Sequence, residues 1–279
     1  MRTGTRSTRR RFLRSIVAGL PLPAALAAPP VHAVEALDSQ RWRDLRRSLF
    51  GDRTVRTDPG RVVELFVHPY ADDAAVVPIM VRTHLFQKPE RHVKHLRLVI
   101  DNNPSPFGTR FNFTPESGKA DIETRVRLES ASPVRVIADL NEGSLWMDAK
   151  LVTGAGGCSA AGAKNDQAMR NLGKVRFSVD EQFADPGEPL LAHLRVAQPQ
   201  FSGIGSEAEP PRFVREIRVF YADRLVMSAD LDFTISENPS FRFHFLPDGK
   251  GELRAEIVDT GDLQVQDHFE VDPAKVLLE

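Results

Sequence analysis

The chain has 279 residues, with 37 Lys and Arg against 38 Asp and Glu, a formal net charge of −1 and a single cysteine. So even a charge balance gives no reason to expect a nucleic-acid or anionic-membrane partner. A composition of 41% hydrophobic and 27% charged residues is that of an ordinary globular protein, long enough for two medium domains, and its 20 prolines fit short strands and turns better than long helices.

Residues 1–33 read as an export signal. Thr8-Arg9-Arg10-Arg11-Phe12-Leu13 sets the paired arginines Arg9 and Arg10 one residue ahead of Phe-Leu, a pattern similar to the twin-arginine export signal. A modestly apolar stretch from Ile16 to Ala28 follows, and Val31-His32-Ala33 gives a small-x-small-like cleavage site ending at Ala33. The apolar stretch is too short, and too broken by Gly19, Pro21 and Pro23, to span a bilayer. The expectation is a mature chain that starts near Val34 in the bacterial periplasm. A lone cysteine in that oxidising space has no intrachain partner, so it is blocked, paired with another molecule, or kept for chemistry.

The mature chain opens with a helix from Ser39 to Phe50. Ser39 serves as N-cap, Trp42, Leu45 and Leu49 share one face, and Gly51 ends it. From about residue 60 the hydrophobic period changes to two. Val62–Val67, Ala75–Val81, and the alternating sets Leu96/Leu98/Ile100, Ile122/Thr124/Val126/Leu128, Val134/Val136/Ala138 and Leu145/Met147/Ala149 read as strands divided by turns. From Val175 the style repeats, through Leu190–Val196, Val214–Phe220, Leu225–Phe233, Phe241–Phe245, Leu253–Ile257 and Leu263–Phe269. The fold class expected is all-β: two immunoglobulin-like β-sandwiches, 34–152 with the N-terminal helix and 173–279, joined by a Gly/Ala-rich arm and linker at 153–172. Helix and strand do not alternate, which argues against a Rossmann or barrel enzyme.

The arm is Gly154-Ala155-Gly156-Gly157-Cys158-Ser159-Ala160-Ala161-Gly162. Gly loses the most backbone entropy on ordering and Ala has little side chain to bury, so the run has poor reasons to fold. No large apolar neighbour anchors Cys158. Gly154, Gly156, Gly157, Ser159 and Gly162 therefore read as a flexible surround for an exposed thiol, whereas a structural cysteine is buried. Lys150 and Lys164 are the nearest cations and no helix N-terminus adjoins it, so the thiol would keep an ordinary pKa of ~8.5 and depend on a partner's active site for activation. That suits a covalent attachment point better than a catalytic nucleophile.

Other chemistry is thin. His92-x-x-His95, with His68 and His84 in the same half, has a spacing a metal could use, but no companion cysteine or acid sits at matching spacing and the histidines read as surface residues. A phosphate loop, a dinucleotide fingerprint and an HExxH motif are all absent from the sequence, which implies no cofactor and no metal and does not read as a free-standing enzyme.

Several motifs in order carry a resemblance. Ala75-Val76-Val77-Pro78, Asp101-Asn102-Asn103-Pro104-Ser105-Pro106, Phe111-Asn112-Phe113-Thr114-Pro115 and Thr124-Arg125-Val126-Arg127-Leu128 lead into Gly156-Gly157-Cys158. Arg215-Glu216-Ile217 and Ile235-Ser236-Glu237-Asn238-Pro239-Ser240-Phe241-Arg242-Phe243 follow in the second half. The chain resembles a fusion of SoxY and SoxZ, the two subunits of a periplasmic sulfur carrier of thiosulfate oxidation, and looks closest to the SoxYZ-like carriers associated with quinoprotein dehydrogenases. The resemblance implies two immunoglobulin-like sandwiches and a sulfur intermediate held on Cys158 while separate periplasmic sulfur-oxidising enzymes, or a quinoprotein dehydrogenase or cytochrome, act on it. Two departures stand out. SoxY ends shortly after a Gly-Gly-Cys-Gly-Gly run, whereas here Ser159-Ala160-Ala161 and a whole domain follow; and Gln198-Pro199-Gln200 stands where SoxZ carries His-Pro-Met. A different class of function also fits: a docking module for a quinoprotein dehydrogenase or cytochrome, with Cys158 incidental.

Overall fold

The computed structural model describes residues 37–106, 108–155, 170–180, 187–198 and 212–272. Helix α1 (Gln40–Phe50) forms where its caps dictate: Ser39 Oγ accepts the Trp42 amide at 3.1 Å, and Gly51 at φ +59° returns its N–H to the Arg47 carbonyl at 2.9 Å. Among the described residues no helix is long and apolar enough to cross a membrane.

The first half supplies β1 (Val55–Thr57), β2 (Val63–Val67), β3 (Tyr70–Ala71), β4 (Val77–Thr83), β5 (Val93–Ile100), β6 (Thr109–Phe113), β7 (Ile122–Val126), β8 (Ser132–Leu140) and β9 (Leu145–Gly154). The second supplies β10 (Val175–Asp180), β11 (Leu190–Val196), β12 (Val214–Tyr221), β13 (Arg224–Asp230), β14 (Ser240–Phe245), β15 (Gly251–Asp259) and β16 (Gln264–Val271). Among the described residues the fold is built of strands, with α1 its one α-helix described in full, as the alternation requires.

The sheets do not respect the boundary between the halves. One ten-stranded sheet runs β1-β9-β8-β5-β6-β13-β12-β15-β16 with β3 beside β9, and a six-stranded sheet runs β10-β11-β14-β7-β4-β2. The chain crosses from half to half in both layers: β6 pairs antiparallel with β13, Phe111 opposite Ala229, and β7 pairs with β14, Glu123 opposite Arg242. The two sandwiches are thus joined strand to strand.

Alternation explains the core. The inward phase of each strand, such as Leu96, Leu98 and Ile100 in β5 and Phe241, Phe243 and Phe245 in β14, enters a single apolar core that spans both halves. Across the seam Phe111 meets Phe241 edge-on with ring centroids 6.2 Å apart, joining layers and halves at once. On the outer face of the large sheet the seam is tied by Arg110 Nη2 donating to Asp230 Oδ2 at 2.6 Å, and by Asn112 Nδ2 donating to Ser228 Oγ at 3.1 Å.

Helix α1 covers part of that outer face, where Trp42 and Phe50 pack on Val99, Ile137, Leu145 and Met147. It also seals an ion pair. Arg135, 0% exposed, donates twice to the Asp101 carboxylate at 2.8 Å, and its guanidinium lies 4.2 Å from the Trp42 ring centroid. Removing one partner of such a pair strands a buried charge, which costs about 3–5 kcal/mol.

The continuous core generates a prediction. Calorimetry should show one cooperative unfolding transition for the two halves, with van't Hoff and calorimetric enthalpies in agreement; two resolved transitions would mean that the seam is weak.

Candidate functional site

Cys158, Gly156, Gly157, Ser159 and Gly162 lie outside the described residues, as do Arg9, Arg10 and Ala33. What the structure describes is how the chain approaches and leaves this stretch. Gly154 corrects the expectation that it belongs to the arm: it is the last residue of β9, where it lies opposite Ala71 of β3. Pairing continues one residue further, since the Ala155 amide donates to Ala71 O at 2.9 Å and the Ala74 amide donates to Ala155 O at 3.1 Å. Gly is required at 154 by space, because a Cβ there would stand 2.8 Å from the Ala74 Cβ.

Both halves brace this departure point. From the first, Leu128 N donates to Ala74 O at 2.8 Å; from the second, Ser236 Oγ donates to Ala75 O at 2.8 Å and Ser236 N donates to Arg125 O at 3.0 Å. On the far side Gly173 donates its amide to Ala197 O at 2.9 Å just before β10 begins. Both ends of the arm therefore leave from one end of the six-stranded sheet, where β2, β7 and β11 finish and β4, β10 and β14 start. The edge strands β2 and β10 are five strand spacings apart, about 24 Å. The residues between Ala155 and Arg170 would cover about 50 Å if fully extended, about twice that separation. Cys158 is only three positions past Ala155, which keeps its Cα within about 11 Å of that residue's Cα.

The outer face of the six-stranded sheet carries a shallow groove with a volume of about 880 Å³ that reaches this same end. The strand registers align its members in rows. Phe66, Met80, Glu123, Arg242 and His193 lie opposite one another across five strands, and Arg242 Nη1 donates to Glu123 Oε2 at 3.3 Å. His193 bonds Ser240 Oγ at 2.7 Å; burial pushes its pKa below the ordinary histidine range, and Arg195 and Arg242 push the same way. His244, further along β14, is lowered by burial, as is His95 on the other sheet. The groove was not foreseen from the sequence; its signal was the polar phase of the alternation in β7, β11 and β14, rich in Arg and His.

The histidines singled out by spacing do not converge. His92 Nδ1 meets Lys88 O at 3.0 Å, His95 Nδ1 meets Asn112 Oδ1 at 2.7 Å, and His84 Nε2 meets Glu64 Oε2 at 3.3 Å. His68 Nδ1 bonds Tyr70 O beside the arm's departure point. Among the described residues no three His, Cys, Asp or Glu side chains gather as a metal ion needs. Gln198 is buried, its backbone N–H donating to Asn238 Oδ1 at 3.0 Å; Pro199 and Gln200 lie outside the described residues.

The geometry defines an all-β protein whose halves share both sheets and whose cysteine-bearing connection starts from a strand end clamped by both halves. The family described as sulfur oxidation protein SoxY matches residues 46–158, and the family described as sulphur oxidation protein SoxZ matches residues 178–270. The chain belongs to these families, a SoxY domain followed by a SoxZ domain in one polypeptide, and that membership supports a sulfur-carrier role. No curated protein matches it. Among solved structures, the sulfur carrier protein SoxY from Chlorobium limicola f thiosulfatophilum is similar at 18% identity and a TM-score of 0.34, covering 40% of this chain and 90% of that one. A superoxide reductase (neelaredoxin) from Ignicoccus hospitalis matches at 12% identity and a TM-score of 0.32, over 36% of this chain and 94% of its own. Fibronectin(III)-like modules of Clostridium thermocellum CbhA match at 8% identity and 0.23, over 75% and 93%. At these scores the structural likenesses carry no argument.

Two predictions follow from this geometry. Gly154→Val forces a branched side chain against Ala74 and should lower stability by about 1–3 kcal/mol, read as a lower urea midpoint. The pH dependence has a definite sign: His95, His193 and His244 all refuse protons that the unfolded chain accepts near pH ~6.5. Their contribution is complete above that pH and is lost as pH falls through the lowered folded values. Urea midpoints should therefore drop between about pH 7.5 and about pH 5.5, and drop less in His244→Gln.

Proposed function

We propose that the protein is a covalent carrier: the Cys158 thiol bears a sulfur-containing or other thiol-linked intermediate and presents it to separate partner enzymes in the periplasm, after export by the twin-arginine route. The observation that carries this reading is the end point of the SoxY match, which falls on Cys158 itself, three residues past the last paired residue of the strand that leads into it. The partners are sulfur-oxidising enzymes, or a quinoprotein dehydrogenase or cytochrome. Joining cargo sulfur to the thiol as a disulfide-type bond releases the thiol proton and removes two electrons, which the loading enzyme must accept. Reducing that bond, with two electrons and a proton supplied by the unloading partner, returns the thiol. Between visits an ordinary thiol is mostly protonated at neutral pH, so the carrier is quiet until a partner's site draws the proton away.

The test is the intact mass of the protein recovered from its native periplasm. Wild type should carry an added mass on the peptide containing Cys158 that a thiol reductant removes, and Cys158→Ala should carry none while unfolding within about 0.5 kcal/mol of wild type. A Cys158 found unmodified under every growth condition, together with an unaffected Cys158→Ala strain, would overturn the reading.

A further inference from the structure

A row of arginines crosses the six-stranded sheet at the end from which the arm departs. Arg176 of β10 lies opposite Arg195 of β11, Arg195 lies opposite Ser240 of β14, and the β14–β7 register carried on by two residues sets Ser240 opposite Arg125. Arg176 and Arg195 are exposed, and Arg125 is half-buried with Nη2 donating to Asn238 O at 2.8 Å. Among the described residues, no carboxylate lies within ion-pair distance of any of the three. That is unlike the outer face of the other sheet in the same half. There Arg215 pairs with Asp262 at 3.0 Å, Arg218 with Glu216 at 2.6 Å, and Arg254 with Glu256. The chain as a whole is one charge from neutral, so the uncompensated row is a local feature.

We propose that this row is a docking strip for an acidic surface segment of a partner protein, placed so that a partner seated on it meets the arm. The inference deepens the carrier reading and takes its purpose from it. The occupant follows from charge and shape. Three guanidinium groups spread over three strand spacings, about 14 Å, form a line rather than a cup. A line of that length matches four or so extended residues bearing Asp or Glu; the exposed Arg176 and Arg195 can each grip a carboxylate through two N–H groups, and Arg125, anchored on Asn238 O, adds its charge. Ser240, small and in the middle of the row, leaves the approach open. His193, one row inward, is held below its ordinary pKa first by burial and then by Arg195 and Arg242, so the strip's charge rests on the arginines. Exposed ion pairs of this kind are individually weak and screened by salt, so the strip orients a partner and speeds its arrival more than it holds it.

The test uses the full chain and a fluorescein-labelled hexaglutamate peptide followed by anisotropy. Wild type should bind at low ionic strength and weaken about tenfold or more by 0.2 M NaCl. The triple variant Arg125→Glu/Arg176→Glu/Arg195→Glu should lose at least about tenfold in affinity, the triple Gln variant should fall between, and Arg218→Glu on the other sheet should bind as wild type. Cys158→Ala should also bind as wild type, so the strip stands or falls separately from the carrier reading. No binding by wild type, equal binding by the folded triple variants, or displacement by thiosulfate well beyond that of NaCl at the same ionic strength (a small-anion site) would each overturn the proposal.

Discussion

The structure depends on a pairing that no single domain could make. β6 and β7 of the first half are edge strands until β13 and β14 of the second half pair with them, one in each layer. An open strand edge is a row of unpaired amides and carbonyls and a standing invitation to aggregate. Here each half closes the other's edge in both sheets, and Phe111 against Phe241 fills the space between the layers at the same place. The remaining edges are managed differently. β2 receives the Asp148 carboxylate on the Leu65 amide at 2.8 Å, which turns a strand edge into a satisfied hydrogen bond. Fusion into one chain raises the effective concentration of the two halves for one another, so the seam need not be as strong as that of two separate subunits.

The motifs that carry the family resemblance brace the first half and the seam between the halves. Asn112 spans from His95 to Ser228, Asn103 bonds the Arg127 carbonyl and the Glu129 amide, and Asp101 neutralises the buried Arg135. In the second half Ser236 and Asn238 hold Ala75, Gln198 and Arg125 in place around the departure of the arm. These polar motif residues are structural here: Asp101 and Asn103 brace the first half, Asn112 ties the seam, and Ser236 and Asn238 brace the strand ends beside Ala155.

Periodicity made the fold class legible. The change to period two, the Ser39 and Gly51 caps and the alternating Phe241-Arg242-Phe243-His244-Phe245 each have a local physical cause that survives folding. The sharing of sheets was not legible, because strand pairing is decided by long-range edges and alternation is the same whichever edge a strand joins. Gly154 was misplaced for a related reason. Glycine permits an arm, but here it answers to Ala74, a residue 80 positions away whose closeness no local pattern encodes. The arginine row was invisible for the same cause: Arg125, Arg176 and Arg195 are scattered along the chain and become neighbours only through the registers of four strands.

Fusion poses a mechanical question for a carrier, since a cysteine at a free chain end and one inside a loop do not reach alike. A loop held at both ends extends to about half its contour when the reactive residue sits at its middle. Cys158 does not sit there. It is three positions from Ala155 and twelve from Arg170, so the short side, about 11 Å of contour, sets its reach and the long side, about 40 Å of contour, adds little restraint. A chain cut just after Cys158 would meet the same limit of about 11 Å from Ala155. What fusion changes is bulk, because a partner cleft that accepts the thiol must also let the outgoing chain leave. Ser159-Ala160-Ala161-Gly162 meets that demand with the smallest side chains available.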